Sequence, residues 1–343
     1  MMKSNQDDDL AIIAEIARMY YIEGMRQQEI GEALYFSKAK VSRALKFARD
    51  KKIIEFQVNY PLKRASLLEY ELKRLFSLDD VLVVTNLVEN LHTELSVKRI
   101  TELAAEYLDQ ILQDGDVVGL SWGRTLHGVI SQLKPKSPKD IQIIQVIGSS
   151  SKEYKEKYDC PNLVQEMAKA FQGKYSLLYA PMHIYSDIAR KELLKEKVIC
   201  ESLKRIEEID YLITGIADIS QKLNTNTLAG FMDEKTKKEV LDKGAVGYLC
   251  GYIFDQKGEM IQHDFNKKVI GISFEQIKKQ KNVIAIAGGI DKTNAIYAAI
   301  EGKLINRLIT DGKIAEKLIM MRRKELLKRK GELTNAENDS IRL

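Results

Sequence analysis

Between residues 81 and 310, short apolar runs alternate with amphipathic stretches, and this alternation constrains the fold more than any other feature. VLVV (81–84) precedes a helical pattern near 93–112, and DVVGLSW (116–122) precedes one near 124–133. IQIIQVIG (141–148) precedes a helix near 161–172 in which Val164, Met167, Ala168 and Phe171 share one face. YSLLYA (175–180), YLITGIA (211–217), VIAIAGG (283–289) and LINRLIT (304–310) follow. The last two flank a helix carrying Ala295, Ile296, Ala299 and Ile300. Short apolar runs alternating with helices predict an α/β domain, doubly wound about a mainly parallel sheet.

In such a sheet, ligands sit beyond the carboxyl ends of the strands. Several predicted strands end in small or polar residues: GLSWGRT (119–125), GSSS (148–151), GIAD (215–218) and GGIDK (288–292). Backbone N–H groups in such loops can cradle an anion, and Arg124 or Lys292 could add positive charge. The candidates are Gly123, Arg124, Thr125, Gly148, Ser149, Ser150, Asp218, Gly288 and Lys292. A glycine after a strand often serves only its turn. Recurrence at successive strand ends favours a phosphorylated small ligand.

The first sixty residues read differently. Residues 8–23 predict a helix with Leu10, Ile13, Ile16, Ala17 and Tyr20 on one face, ended by Gly24. QQEIGEALYFSKAKVSRALK (27–46) predicts two short helices across a tight turn, packed through Ile30, Leu34, Phe36, Val41 and Leu45. Gly31, Ala33 and Ala44 keep that packing close, and Ser37 is placed to cap the second helix. A helix-turn-helix lays its second helix in the major groove. Lys38, Ala39, Ser42 and Arg43 are then expected near bases, with Lys40, Lys46 and Gln28 near phosphates. IIEFQV (53–58) alternates like a strand and suggests a wing. A helical hairpin used only for protein contacts is the plainer alternative, and Tyr35 stands where many such turns carry glycine.

Charge distribution supports the DNA reading where total charge does not. The net charge is only +5, yet Lys38, Lys40, Arg43, Lys46, Arg49, Lys51 and Lys52 cluster against Asp50 alone. Such a stripe suits phosphate contacts, though a solvated helix face looks the same on charge alone. Three scattered cysteines, an acidic N-terminus and no apolar run near ~20 residues point to a cytoplasmic protein with no membrane segment. No metal site and no cofactor is expected.

These features give three expected regions: a helix-turn-helix domain at 1–60, an effector-binding and oligomerisation domain at 61–321, and a charged, mobile tail at 322–343. Leu68, Leu72, Leu75 and Phe76 form a stripe that fits either a helix packed on the large domain or a dimer contact.

QQEIGEAL, SKAKVSRALKFARDKKII, DGDVVGLSWGRT, GAVGYLCGYIFDQKGE, KKVIGIS and IAIAGGIDKTNAIYAAIEGKLINRLITD lie in order from about residue 8 to 318. Together they resemble the SorC/DeoR-type family of sugar-sensing regulators. The resemblance implies an operator-binding homo-oligomer, a dimer or tetramer, whose large domain is of the sugar-phosphate isomerase-like type. It also implies a phosphorylated sugar or derivative as effector and double-stranded operator DNA as partner. Carried over by position, it puts Gly123, Arg124 and Thr125 in a phosphate loop, and Gly148 and Ser149 in the next. Lys292 matches the lysine of the AGGxxK segment, and Lys268 the basic residue before the IGI strand. Tyr248 stands where the family commonly has an acidic residue for sugar hydroxyls, and Ile147 where some members have a basic one. The effector is then smaller, less hydroxylated, or bound differently.

The alternative is a sugar-phosphate isomerase or deaminase with an accessory DNA-binding domain. That chemistry needs a positioned base. His92, His127, His183 and His263 form no motif, Asp218 and Asp291 fit turn or helix caps, and neither a GxGxxG nor a GxxxxGK[ST] segment occurs. The sequence reading therefore assigns no catalytic residue.

Overall fold

The computed structural model describes residues 4–54, 64–85, 93–150, 156–219 and 232–340. The chain forms two compact units, residues 1–61 and 62–343.

The first unit is three helices, Ser4–Tyr21, Gln27–Leu34 and Lys38–Asp50. Ile16, Ala17, Ile30, Val41, Leu45 and Ala48 are buried between them. The turn joining the second and third helices is closed by Phe36 N–H donating to the Gly31 carbonyl at 2.7 Å, with Tyr35 in the left-handed region (φ 55°). A Cβ on Gly31 would stand 2.6 Å from the Phe36 oxygen, so the turn requires glycine there. Ser37 caps the third helix, its Oγ accepting from Lys40 N–H at 3.2 Å. Ala44 packs against the core, but Ala33 is exposed and contributes no close contact, a correction to the expected packing. Ile53 and Ile54 pack on this core, while positions 55–58 of the expected wing lie outside the described residues.

The second unit is built on ten strands: β1 (Asp80–Val84), β2 (Val117–Leu120), β3 (Gln142–Gln145), β4 (Lys174–Ser176), β5 (Tyr211–Gly215), β6 (Ala217–Asp218), β7 (Ala245–Leu249), β8 (Tyr252–Asp255), β9 (Val283–Ile286) and β10 (Arg307–Asp311). Seven form one sheet in the order β1-β10-β9-β5-β2-β3-β4, every pairing parallel. Their near-continuous apolar runs follow from burial on both faces. A second, antiparallel sheet, β6-β7-β8, was not expected from the sequence.

From β2 the chain moves outward through β3 and β4, then returns to β5 on the other side of β2 before continuing to β9 and β10. The β2/β5 boundary is therefore a topological switch point, where the loops diverge and leave a crevice.

One expectation fails locally. KKVIGIS makes only isolated bridges, Val269 with His183 and Gly271 with Ile147, instead of a strand. From residue 322 the chain continues the helix Gly312–Ser340. The start of this stretch is held: Arg322 pairs with Glu301 and Glu325, and Arg323 pairs with Glu71.

Candidate functional site

The crevice at the switch point holds a cavity of about 120 Å³. One wall is the β2 loop, Ser121–Trp122–Gly123, running into the helix Arg124–Gln132. Gly123 is the N-cap at φ 126°, a conformation that glycine alone adopts readily, and no side chain caps the helix. The first-turn N–H groups, which have no intrahelical partner, therefore stand at the cavity wall. The β5 end supplies Gly215, Ile216 and Ala217, and the β7–β8 hairpin supplies Tyr248 and Cys250. Lys292 enters from the short turn after β9.

Arg124 and Lys292 are the two cations of the cavity. Among the described residues neither forms an ion pair, and no carboxylate lines the cavity. Burial holds the Lys292 ammonium below the ordinary lysine range; Asp291 opposes this and Arg124 reinforces it. A bound anion would relieve both the desolvation and the mutual repulsion of the two cations.

The remaining wall is mainly apolar, with the Ser121 and Thr125 hydroxyls beside it. Trp122 and Tyr248 meet edge to face at 6.2 Å, both nearly buried. The Tyr248 hydroxyl donates to Met182 Sδ at 3.5 Å. Cys250 Sγ donates to Thr214 Oγ1 at 3.3 Å, and burial pushes its thiol up to about 11. This thiol is a packing and lining group, not a nucleophile.

Of the effector candidates, the structure brings Gly123, Arg124, Thr125, Tyr248 and Lys292 together around the cavity. Gly148, Ser149, Ser150, Asp218, Gly288 and Lys268 are not in its lining. The GSSS loop cannot cradle an anion through its first three N–H groups, because each is already used. Gly148 donates to the Ile270 carbonyl (2.9 Å), Ser149 to the Ala180 carbonyl (2.8 Å) and Ser150 to Asp159 Oδ1 (2.8 Å). Lys268 pairs with Asp187 at 2.6 Å, its charge answered elsewhere. Asp218 lies in β6 opposite Gly247, and Gly288 is buried against Ile100. Sequence reasoning missed Trp122 and Cys250 as lining residues. Trp122 lay inside a loop already singled out, whereas Cys250 enters only through the unexpected hairpin.

On the first unit, Lys38, Ala39, Lys40, Ser42, Arg43 and Lys46 share the exposed side of the third helix, opposite buried Val41, Leu45 and Ala48. Ser37 and Gln28 are also exposed, and the Gln28 amide donates to Glu32 at 3.4 Å. Arg43 Nε donates to the Ala39 carbonyl at 3.3 Å. Lys40 Nζ lies 3.5 Å from the centre of the Phe36 ring. Among the described residues, no helix is long and apolar enough to cross a membrane.

A helix-turn-helix unit followed by a parallel α/β domain with a cationic crevice defines a class, the ligand-responsive DNA-binding regulator. Residues 60–320 match the Sugar-bind family of sugar-binding domains, and the chain belongs to that family. It is 28% identical over 305 residues to the deoxyribonucleoside regulator of Bacillus subtilis, covering 89% of this chain and 96% of that protein. It is 24% identical over 313 residues to the sorbitol operon regulator of Klebsiella pneumoniae, covering 91% and 98%. The crystal structure of full-length SorC from Klebsiella pneumoniae has a similar fold, with TM-score 0.69 at 24% identity, covering 91% of this chain and 99% of that one. The chain is a metabolite-controlled transcriptional regulator of this SorC/DeoR type, with a sugar-binding domain.

Proposed function

We propose that residues 1–60 bind double-stranded operator DNA and that residues 61–321 bind a phosphorylated sugar or derivative and carry the contacts of a homo-oligomer, a dimer or tetramer. Arg124 and Lys292, two cations without a carboxylate partner among the described residues, carry the effector half of this reading. Gly123 and Thr125 complete that site, with the first-turn N–H groups donating to the phosphate. Gly148, Ser149, Ser150, Asp218, Gly288 and Lys268 support the surrounding loops. Sugar binding shifts the oligomer between two states that hold the recognition helices differently, so effector and operator affinities are reciprocally coupled. The reading needs no catalytic group, and the described cavity lining contains no histidine or carboxylate to serve as base.

The test of the DNA half uses the full chain and a duplex selected from a random pool. Arg43→Ala should weaken binding about tenfold and relax the preference at one base position, with effector binding retained. Unchanged affinity would remove the third helix as the reading element. Lys292→Ala should abolish the response to phosphosugars and leave duplex binding intact. An undiminished response would remove Lys292 from the site.

A further inference from the structure

Among the described residues, the enclosed part of the cavity is small. At about 120 Å³ it is well under the ~300 Å³ at which pockets begin to enclose drug-sized ligands. A dry cavity of ~150 Å³ accommodates one benzene, so the enclosed space here suits about five non-hydrogen atoms, with the phosphate held outside it by the exposed Arg124 and the half-buried Lys292.

The chemistry of the wall narrows the ligand further. Beyond the two cations and two glycines it presents Trp122, Leu126, Ile216, Ala217, Tyr248 and Cys250, with the hydroxyls of Ser121 and Thr125. Three groups that could have met ligand hydroxyls are turned to protein partners, Tyr248 to Met182, Cys250 to Thr214 and Ser121 to Cys250, and the Thr125 hydroxyl stands in the first helical turn at the anion end. With no carboxylate in the lining among the described residues, a ligand hydroxyl pressed against the apolar part of this wall loses water and gains little. Each such hydroxyl costs about tenfold in affinity.

We infer that the cavity selects a short phosphate monoester, with a chain of about three carbons and few hydroxyls, over pentose and hexose phosphates, and that Trp122 and Tyr248 set this preference. The inference rests on the anion-binding reading above. The phosphate binds at Arg124, Lys292 and the helix N-terminus, and the carbon chain lies against the aromatic pair.

Calorimetry on the full-length protein with inorganic phosphate, propyl phosphate, glycerol phosphate, ribose phosphate and glucose phosphate tests this. Propyl phosphate should bind about tenfold more tightly than inorganic phosphate, and glucose phosphate at least about tenfold more weakly than propyl phosphate. Ribose or glucose phosphate binding as tightly as propyl phosphate would overturn the size and hydroxyl preference while leaving the anion site standing. Inorganic phosphate binding as tightly as propyl phosphate would overturn the role of the apolar wall. If neither phosphate nor any monoester bound, the anion site itself would fall, and the preference with it. Tyr248→Glu should move the glycerol-to-propyl phosphate affinity ratio about tenfold toward glycerol phosphate. Tyr248→Phe keeps the ring and the packing, and should preserve the wild-type order; loss of that order would overturn the role of the aromatic pair and place the preference on the hydroxyl.

Discussion

Arg322 donates through Nε to the backbone carbonyl of Leu75 at 3.3 Å, tying the helix Gly312–Ser340 to the helix Ser66–Phe76. The same guanidinium lies 3.1 Å from Glu301 and 3.0 Å from Glu325, and its side chain is 18% exposed. Three helices thus converge on one poorly solvated cation, and the third of them, Thr293–Glu301, starts beside Lys292. Arg322→Ala leaves two carboxylates facing each other, so it should destabilise the large unit by about 2–3 kcal/mol in urea unfolding. A loss under ~0.5 kcal/mol would mean that the cluster is hydrated like a surface pair.

Lys292 is predicted to trade stability for binding. Its folded-state pKa lies below the ordinary lysine value because burial disfavours the ammonium. Between that lowered value and the ordinary ~10.4, the unfolded chain holds more protons, so stability rises with pH through this window. Lys292→Met should therefore raise the Tm of the ligand-free protein and abolish the shift caused by propyl phosphate. In the wild type, phosphate affinity should fall as pH rises toward the ordinary lysine range and the free amine forms, whereas Lys292→Arg should give a flatter profile. A wild-type profile as flat as that of the arginine variant would show that the amine stays charged throughout.

How far the sequence could be read depends on how local each cause is. Strand runs, helix faces and the Ser37 cap follow from neighbours within a few residues, and each was legible. The GSSS loop stands outside the cavity lining, its first three N–H groups taken by Ala180, Ile270 and Asp159, partners that no local pattern reveals. The partner of Lys268 was hidden for the same reason, since Asp187 lies 81 positions away. The β7–β8 hairpin escaped because Cys250 (φ 47°) and Gly251 (φ 89°) make its turn without a familiar Asn-Gly or Asp-Gly signal.

His183 is predicted to weaken the protein in acid. It is buried, its ring centre 4.3 Å from that of Phe265, and burial lowers its pKa from 6.5 to about 4. Between these values the unfolded chain takes up a proton that the folded chain refuses, so stability falls as pH drops from 6.5 toward 4. The loss at the acid end is at most about 3 kcal/mol. His183→Leu should flatten this part of the stability profile in urea titrations. If both proteins lose stability equally over that range, other groups carry the acid sensitivity.

Gly31 offers the sharpest separation of the two halves of the molecule. The Cβ of an alanine would stand 2.6 Å from a backbone oxygen, that of Phe36, in the turn before the Ser37 cap. A side-chain clash could be relieved by rotation, but this one requires the turn itself to open. The helix Lys38–Asp50 would then lose the orientation that presents Arg43 and Lys46 together. Gly31→Ala should cost the first unit about 1–3 kcal/mol and sharply reduce affinity for a selected duplex. The Tm shift of the large unit with propyl phosphate should persist, because its cavity lies wholly within residues 121–292. Wild-type duplex affinity in this variant would show that the turn opens at little cost, and that the close approach of Gly31 to Phe36 is not what sets the recognition helix.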